Sequence, residues 1–437
     1  MSMQDVSANV SVNANINTCA STNAGASISA NTNANASSKA SEKPRSQAVK
    51  DATTKTDEVP QFTPGLVSVV TPCYNGESFL DRYFEGILAQ TYRPIEVVLI
   101  DDGSTDATYS LALSYEEKLE KQGIRFVCIH QENKGQAAAI NRGLPEVTGE
   151  FIAWPDSDDL MYPDNLEKKV SYLCAHPDVG FVCCQVDRVH EGSLNKVVSV
   201  DKVSDPSNPW IFDALIRDKG VYCLDIAYLV RTEALFTALG GQRIVESPAG
   251  QNYQLLLPLA YCYRCGFIDE PLVAYVAREG SHSNSFTSFE AQIERIHEFE
   301  ELLHKVIRAI PMTEDERELY ERYIDTKFLP RRFVLCAEFN EIQGMNRAKR
   351  QLDQLQGRSF AREVIAFLCR LHLGGVLPKI APAFGKAKSA FTRINSPLKR
   401  KQSRTLKREN DDSGGLERQS ETLISQQADK QSLRIGK

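Results

Sequence analysis

The sequence predicts an α/β fold with a mostly parallel sheet flanked by helices. Strand-like apolar runs alternate with helical stretches over residues 65–187, and the connections between them are short. Alternation of this kind favours parallel pairing through right-handed crossovers. Each of four strand-like runs also ends in a polar cluster. Because parallel strands of an open sheet deliver their ligand groups at one edge, these clusters predict a shared crevice.

The predicted elements follow one another in order along this stretch. The strand-like runs cover residues 66–71, 95–100, 125–129 and 150–154. The predicted helices cover residues 77–90, 104–119, 136–144 and a stretch that opens at 163–165. In the first helix the apolar residues recur at spacings of three and four, and Ser104-Thr105-Asp106 predicts an N-cap for the second.

The polar clusters combine an aromatic residue, an Asp pair and a second acidic group. They are Pro72-Cys73-Tyr74-Asn75, Asp101-Asp102-Gly103-Ser104, Asn133-Lys134-Gly135 and Asp156-Ser157-Asp158-Asp159. A flat aromatic ring can stack on a nucleobase, and carboxylates are hard ligands for a divalent cation that clamps a diphosphate. Taken singly, the same residues also fit a core aromatic, a turn with a helix cap and a solvated loop.

Composition excludes few classes of protein. The chain has 437 residues and a net charge of −6, which gives no global reason to expect a nucleic-acid partner. Eleven cysteines, an odd number, do not form an evident disulfide framework, and the N-terminus lacks a secretory signal. The sequence contains no run of about 20 apolar residues, so it does not predict a membrane-spanning helix. We therefore expect a cytoplasmic protein.

Composition also divides the chain into four segments. Residues 1–62 are rich in Ala, Asn, Ser and Thr and predict a disordered segment, because few large apolar groups offset the entropy of ordering it. The α/β domain is expected over residues 63–287 and a helical appendage over residues 288–392. Residues 393–437 predict a basic, polar, disordered tail.

The clusters, in this order and with these gaps, resemble the inverting family 2 glycosyltransferases of GT-A fold. The resemblance covers about residues 67–187 and continues more weakly to about residue 285. Single motifs of this kind are weak signals, whereas the whole set in order is specific. Besides the four clusters, the motifs are Gln90-Thr91-Tyr92, Thr105-Asp106, Asn141 and Pro163.

The resemblance implies roles in nucleotide binding. Pro72 and Tyr74 would flank a uracil base, and Glu77 would lie near the ribose or base. Asp102 would accept a hydrogen bond from the base, with Asp101 as its supporting neighbour. The resemblance therefore implies that the donor is a UDP-sugar.

The resemblance also implies a cation site. Asp156 and Asp158 match the D-x-D element that holds Mg or Mn between the two phosphates. Lys134 would contact the donor, and His282 would contact the diphosphate or the metal. A lone histidine is equally compatible with a purely structural role.

The catalytic base is where the chain departs from the family pattern. The family commonly supplies an acidic residue from a Glu-Asp pair after a Gly-Gly turn. Gly240-Gly241 is present, but Gln251-Asn252 stands where the acidic pair is expected. The nearest carboxylate is Glu246, which we predict as the base; a surface loop residue is the alternative.

The implied function is inverting transfer of a sugar from a UDP-sugar to a glycan or lipid-linked acceptor. Cell-envelope or exopolysaccharide synthesis is the implied setting. The missing acidic pair leaves a non-catalytic nucleotide-sugar-binding scaffold as an alternative. A nucleotidyltransferase is less favoured, because the loop at 72–77 has no Lys or Arg to hold a triphosphate.

The basic C-terminal tail predicts a contact of its own. Residues 399–408 carry six cations and no acid, which suits peripheral contact with the anionic inner face of a membrane. A solvated tail is the alternative. Aromatic residues do not interleave with these cations, so no nucleic-acid partner is expected.

Overall fold

The computed structural model describes residues 61–241, 243–248, 250–278 and 288–376. The predicted disordered tail, nearly all of the predicted disordered N-terminal segment and His282 lie outside these residues. The first half of the fold contains β1 (Thr63–Cys73), α1 (Leu80–Leu88), β2 (Ile95–Asp102), α2 (Thr108–Ser114), α3 (Glu116–Glu120), β3 (Arg125–Gln131), α4 (Gln136–Gly143) and β4 (Gly149–Ala153).

The remaining elements complete the sheet and add a helical region. They are β5 (Leu160–Met161), α5 (Asn165–Ala175), β6 (Val179–His190), β7 (Ser199–Asp201), α6 (Phe212–Ile216), β8 (Tyr228–Arg231), α7 (Thr232–Leu239), α8 (Gln251–Cys262), β9 (Arg264–Ala277), α9 (Phe289–Ala309), α10 (Glu314–Lys327), α11 (Leu329–Glu338), α12 (Ile342–Gln356) and α13 (Phe360–Arg370). Short 3₁₀ turns occupy Leu144–Glu146, Asp225–Ala227 and Gly374–Val376.

The strands form one nine-stranded sheet in the order β3-β2-β1-β4-β8-β6-β9-β5, with β7 paired to β6. Strands β1 to β4 are parallel, as predicted, and β9 runs parallel to β6. Strand β8 is antiparallel to both β4 and β6, so the sheet as a whole is mixed. The sequence could not give the direction of β8, because a buried four-residue strand shows no distinguishing periodicity.

Helices cover both faces of the sheet, and alternate strand residues point to opposite faces. In β2, Val97 and Leu99 join the core beneath α1 and α5, whereas Val98 and Ile100 join the core beneath α4 and α8. All eight residues of β2 are buried. The predicted α/β fold, with helices on both sides of the sheet, is confirmed.

The predicted helix over residues 104–119 differs in one respect. It begins at Thr108 and is interrupted at Tyr115, giving α2 and α3. Ser104 Oγ accepts a hydrogen bond from Asn75 N (2.8 Å) and does not cap the helix. Asp106 accepts one from Glu77 N (3.2 Å) and one from Thr108 N (3.0 Å), the first residue of α2. Asp106 therefore makes a local contact at the start of the helix, and both side chains also bind the loop after β1.

The C-terminal helices contribute to two cores. Helix α9 packs Phe299, Leu302 and Leu303 into the larger core of the sheet domain. Gly250, at φ 73°, lies so close to α9 that an added Cβ would be 2.4 Å from Leu302 Cδ2. Helices α11, α12 and α13 enclose a smaller cluster of their own that includes Phe333. Within the described residues, no helix combines the length and the apolar character that crossing a bilayer requires.

Gly149→Ala should destabilise the protein, because β4 starts where β1 passes closest. An added Cβ would lie 2.5 Å from the backbone oxygen of Leu66 and 2.7 Å from Ser68 Oγ. We expect a loss of about 2 kcal/mol in the free energy of unfolding, measured in urea. Gly86→Ala in α1 is the control, since its nearest neighbour would be 3.7 Å away, and it should stabilise by up to about 1 kcal/mol. Equal effects of both substitutions would contradict this packing.

Candidate functional site

The loops that follow β1 and β2 are held against each other. Asn75, at φ 49°, accepts a hydrogen bond from Thr105 N on Oδ1 at 2.9 Å. Its own amide donates to Ser104 Oγ, and Gly76 N donates to Thr108 Oγ1 at 2.6 Å. This arrangement leaves the Tyr74 side chain outside the core, with 49% of its surface exposed. A ring presented in this way is available for stacking.

Pro72 and Glu77 stand on either side of Tyr74 along the chain. Pro72 is buried at the end of β1, in register with Ile100 of β2. The Glu77 carboxylate accepts a hydrogen bond from Ala107 N at 3.2 Å. This hydrogen bond joins Glu77 to the residue that precedes α2.

Asp102 organises the turn that follows β3. Its carboxylate, 4% exposed, accepts hydrogen bonds from Gln131 Nε2 (2.7 Å), Lys134 N (3.0 Å) and Gly135 N (2.8 Å). A carboxylate offers about four acceptor positions, so about one remains for another donor. The Lys134 side chain is exposed at this turn.

Asp101 supports its neighbour from a fully buried position. Its two oxygens accept hydrogen bonds from His130 Nδ1 (2.6 Å) and Ser104 N (3.2 Å). Next in the chain, Gly103 has φ 73°, and an added Cβ would lie 2.6 Å from Asn133 N. Glycine is thus required for the second and third clusters to meet at this distance.

The third cluster also reaches the fourth. Gln136, the first residue of α4, donates a hydrogen bond from Nε2 to Asp156 Oδ1. Its neighbour Gly135 binds Asp102 through the backbone. The consecutive residues Gly135 and Gln136 therefore bind Asp102 and Asp156. The four clusters lie together at one edge of the sheet, as expected from their positions at strand ends.

An acidic residue that sequence reasoning missed lies beside Asp156. Asp225 opens the turn before β8 and is 3% exposed, and its Oδ2 has no hydrogen-bond partner. The signal available was that Asp225 is the only charged residue in the apolar run 221–230. Its approach to Asp156 depends on β8 inserting beside β4, which the sequence did not give.

Burial and mutual repulsion disfavour ionisation of these carboxyls. Burial, with the charge of Asp159 next, raises the pKa of Asp225 to about 8. Burial followed by the charges of Asp225 and Asp158 raises the pKa of Asp156 well above its usual value. Two facing carboxylates of this kind need either a shared proton or a cation.

Asp158 is the member of this cluster with a cationic partner. Its Oδ2 accepts a hydrogen bond from Arg278 Nε at 2.7 Å, and its backbone oxygen accepts one from Arg82 Nη2 at 2.8 Å. The Arg278 guanidinium lies 4.6 Å from the centre of the Phe79 ring. Arg278 therefore offsets part of the negative charge from one side.

The donor set fits a cation that shares its coordination with a substrate. Among the described residues, no three His, Cys, Asp or Glu side chains form a ready-made metal cage. Mg²⁺ is usually held by one or two carboxylates, with phosphate oxygens and waters as the other ligands. Asp156 and Asp158, beside the unpartnered Asp225 Oδ2, provide hard oxygen donors of that kind.

The predicted base, Glu246, lies in the segment between α7 and α8. It is exposed and forms an ion pair with Arg243 at 3.1 Å. The segment is anchored by Asn141 of α4, which exchanges two hydrogen bonds of 2.8 Å with the backbone of Ile244. In the place of the expected acid, Gln251 donates from Nε2 to Gln136 Oε1 at 2.6 Å.

One segment of the chain matches a known protein family. Residues 68–220 match the family model of Glycosyl transferase family 2. This segment is therefore similar to family 2 glycosyl transferases. The chain is 37% identical over 117 residues to Glycosyltransferase GlyA of Streptococcus pneumoniae, covering 26% of this chain and 16% of that relative. It is 33% identical over 144 residues to an uncharacterized glycosyltransferase of Haemophilus influenzae, covering 32% and 55% of the two chains.

The match to a solved structure confirms the GT-A fold. The crystal structure of S. aureus TarS residues 1–349 in complex with UDP-GlcNAc aligns with a TM-score of 0.50 and 17% identity. The alignment covers 74% of this chain and 92% of that one. The first curated relatives are matched over between 16% and 55% of their own lengths.

Asp225→Asn should flatten the dependence of stability on pH when no divalent cation is present. Since the pKa of Asp225 is raised from 3.8 to about 8 on folding, the folded protein binds a proton that the unfolded chain releases. The associated stability is present below about pH 4 and is lost as the pH rises to about 8. The variant should therefore lose less stability over this range, measured by urea unfolding in EDTA.

Asp178→Asn is the control for this experiment. Asp178 forms an exposed ion pair with Arg264 at 2.7 Å, so its substitution should shift the unfolding curve by little at every pH. Parallel pH profiles for the wild type and Asp225→Asn would contradict the assigned electrostatics.

Proposed function

We propose that this chain is an inverting, divalent-metal-dependent glycosyltransferase. It transfers a sugar from a UDP-sugar to a glycan or lipid-linked acceptor in cell-envelope or exopolysaccharide synthesis. The observation that carries the proposal is the pairing of Asp102 and Asp156 with the consecutive residues Gly135 and Gln136. A nucleotide base at the first aspartate and a diphosphate at the second would then be bound in one crevice.

The nucleoside end of the donor suits the loops after β1 and β2. The exposed Tyr74 ring offers a stacking surface, and the buried Pro72 precedes it by two residues. The remaining acceptor position of Asp102 suits the N–H of a uracil ring. Glu77, three residues after Tyr74, is our candidate for a contact with the ribose or the base. The complex of TarS with UDP-GlcNAc makes UDP-sugars the first donors to test.

The diphosphate end suits the acidic cluster. Asp156 and Asp158 would hold Mg or Mn, which would neutralise the charge that develops on the departing diphosphate. Arg278, already bound to Asp158, adds a fixed positive charge, and the exposed Lys134 side chain is available to a phosphate oxygen. His282 is proposed as a further contact but lies outside the described residues.

Transfer breaks one bond at the anomeric carbon and forms another. The acceptor hydroxyl oxygen attacks from the face opposite the diphosphate, and the bond from the anomeric carbon to the diphosphate oxygen breaks. UDP leaves with the bonding electrons, and the acceptor proton passes to a base. Glu246 is our candidate for that base, since Gln251 and Asn252 cannot accept the proton.

One observation favours a second function, a nucleotide-sugar-binding scaffold. An amide, Gln251, reaches the site where the family pattern expects an acid, while Glu246 is paired with Arg243 at the surface. Transfer assays separate the two functions. Turnover that is lost in Glu246→Gln, with donor binding retained, supports the enzyme; binding without turnover in the wild type supports the scaffold.

A third part of the proposal concerns location. Peripheral contact with a membrane through the basic C-terminal tail would bring the site close to a lipid-linked acceptor.

Asp158→Ala should abolish the metal-dependent part of donor binding. UDP and UDP-sugars should stabilise the wild type in thermal-shift experiments with Mn²⁺ more than in EDTA, by mass action. In the variant the two conditions should differ little, because a cation ligand is lost. Asp178→Ala makes the same chemical change at an exposed ion pair and should behave as the wild type.

Unchanged UDP affinity of Asp158→Ala in Mn²⁺ would refute the assigned role of Asp158. Asp158→Asn serves as a second variant, since it retains the side-chain volume next to Arg278.

Tyr74→Ala should weaken UDP binding about tenfold without loss of stability. Stacking of a base on an aromatic side chain contributes about 1–3 kcal/mol, and the exposed ring supports little of the core. Isothermal titration of UDP gives the affinity, and urea unfolding gives the stability. Phe360→Ala is the control, an aromatic that is 82% exposed on α13. Equal UDP affinities for Tyr74→Ala and the wild type would contradict stacking at this position.

A further inference from the structure

Helix α13 exposes an apolar face to solvent. Phe360 is 82% exposed, Phe367 59% and Leu371, just beyond the helix, 51%. With the partly exposed Val364, these residues recur at spacings of four, three and four, which places them along one side of a helix. Two phenylalanines on one exposed helix face are unusual for a surface that contacts only water.

The opposite side of α13 is already used for packing. Ala366 and Cys369 are fully buried in the cluster that α13 shares with α11 and α12. The apolar face is therefore not a core face that has been left open by chance, because α13 has a separate core face. We define the α13 apolar face as Phe360, Val364, Phe367 and Leu371.

Charges near the α13 apolar face are predominantly positive or neutralised. Arg370 is exposed at the end of the helix. Glu363, the acidic residue in the first turn, forms an ion pair with Lys349 at 2.6 Å. The face therefore has no free carboxylate on α13 that would be repelled by an anionic surface, since Glu363 is the only acidic residue of the helix.

The chain that follows α13 has the opposite charge to the protein as a whole. Residues 377–408 contain ten Lys or Arg and no Asp or Glu, in a chain whose net charge is −6. The same stretch includes Leu, Ile and Phe residues between the cations. Apolar groups interspersed with cations, directly after an exposed apolar helix face, are typical of segments that lie at a membrane surface.

We propose that the α13 apolar face inserts into the interface of an anionic lipid bilayer while residues 377–408 contact the lipid head groups. A bilayer satisfies both features at once, because the acyl boundary accepts Phe and Leu and the head groups neutralise the cations. A second copy of the chain would cover the apolar side chains, but it would also bring together two segments that each carry ten positive charges. The proposal rests on the membrane contact proposed above and adds the residues that insert, and it shares no residue with the donor site.

Vesicle binding by the full chain tests the proposal. Wild-type protein should co-sediment with vesicles of phosphatidylglycerol and phosphatidylcholine in equal parts and not with phosphatidylcholine alone. Binding should weaken steeply with salt. The double variant Phe360→Ser/Phe367→Ser should lower the affinity about tenfold or more, because two inserted aromatic side chains are lost.

Two further variants divide the apolar from the ionic contribution. Lys399→Gln/Arg400→Gln/Lys401→Gln should weaken binding and reduce its dependence on salt. Leu319→Ser/Val198→Ser is the matched control: Leu319 is 50% and Val198 59% exposed, away from α13, and the control should bind like the wild type. UDP-dependent thermal stabilisation, measured on every variant, reports folding and donor binding independently of the lipid.

Three results would overturn the proposal. One is equal vesicle affinity for the Phe360→Ser/Phe367→Ser variant and the control. Another is equal binding of the wild type to anionic and neutral vesicles. The third is a wild-type dimer in light scattering that becomes monomeric in the Phe variant without any vesicle binding, which would assign the face to a second copy.

Discussion

The hydrogen bonds made by Gly135 and Gln136 are the constraint on which the site depends. The backbone amide of Gly135 binds the Asp102 carboxylate, and the side chain of Gln136 binds the Asp156 carboxylate. Asp102 and Asp156 lie more than fifty residues apart in the chain, at the end of β2 and in the loop after β4. A single turn after β3 therefore sets the spacing between Asp102 and Asp156, where we propose that a base and a diphosphate bind. Gly103 permits this by letting its loop meet the turn at a distance that a side chain would prevent.

The acidic side of the crevice is held in an electrostatically unfavourable state. Asp156, which is partly exposed, faces the buried Asp225, and Asp158 and Asp159 add further negative charge. Arg278 compensates only from the side of Asp158. Buried groups that repel one another in this way are common where a cation or a proton is part of the function. The same repulsion makes stability depend on pH, and we propose that a diphosphate and its cation relieve it on binding.

Much of this arrangement could be predicted from the sequence, because polar clusters at the ends of parallel strands must converge. That argument predicted that Asp102 and Asp156 share a crevice and that Tyr74 lies beside them. It could not give Asp225, whose contact depends on an antiparallel β8 between β4 and β6. Nor could it predict that Ser104 and Asp106 also bind the loop after β1. When a strand is short and buried on both faces, its sequence pattern indicates neither its neighbours nor its direction in the sheet.

The most direct test of the account is anomalous diffraction from crystals grown with UDP and Mn²⁺. The account predicts a manganese peak within bonding distance of carboxylate oxygens of Asp156 and Asp158 and of a phosphate oxygen, with the uracil ring on Tyr74. Nucleotide bound elsewhere, or manganese coordinated without either aspartate, would contradict it.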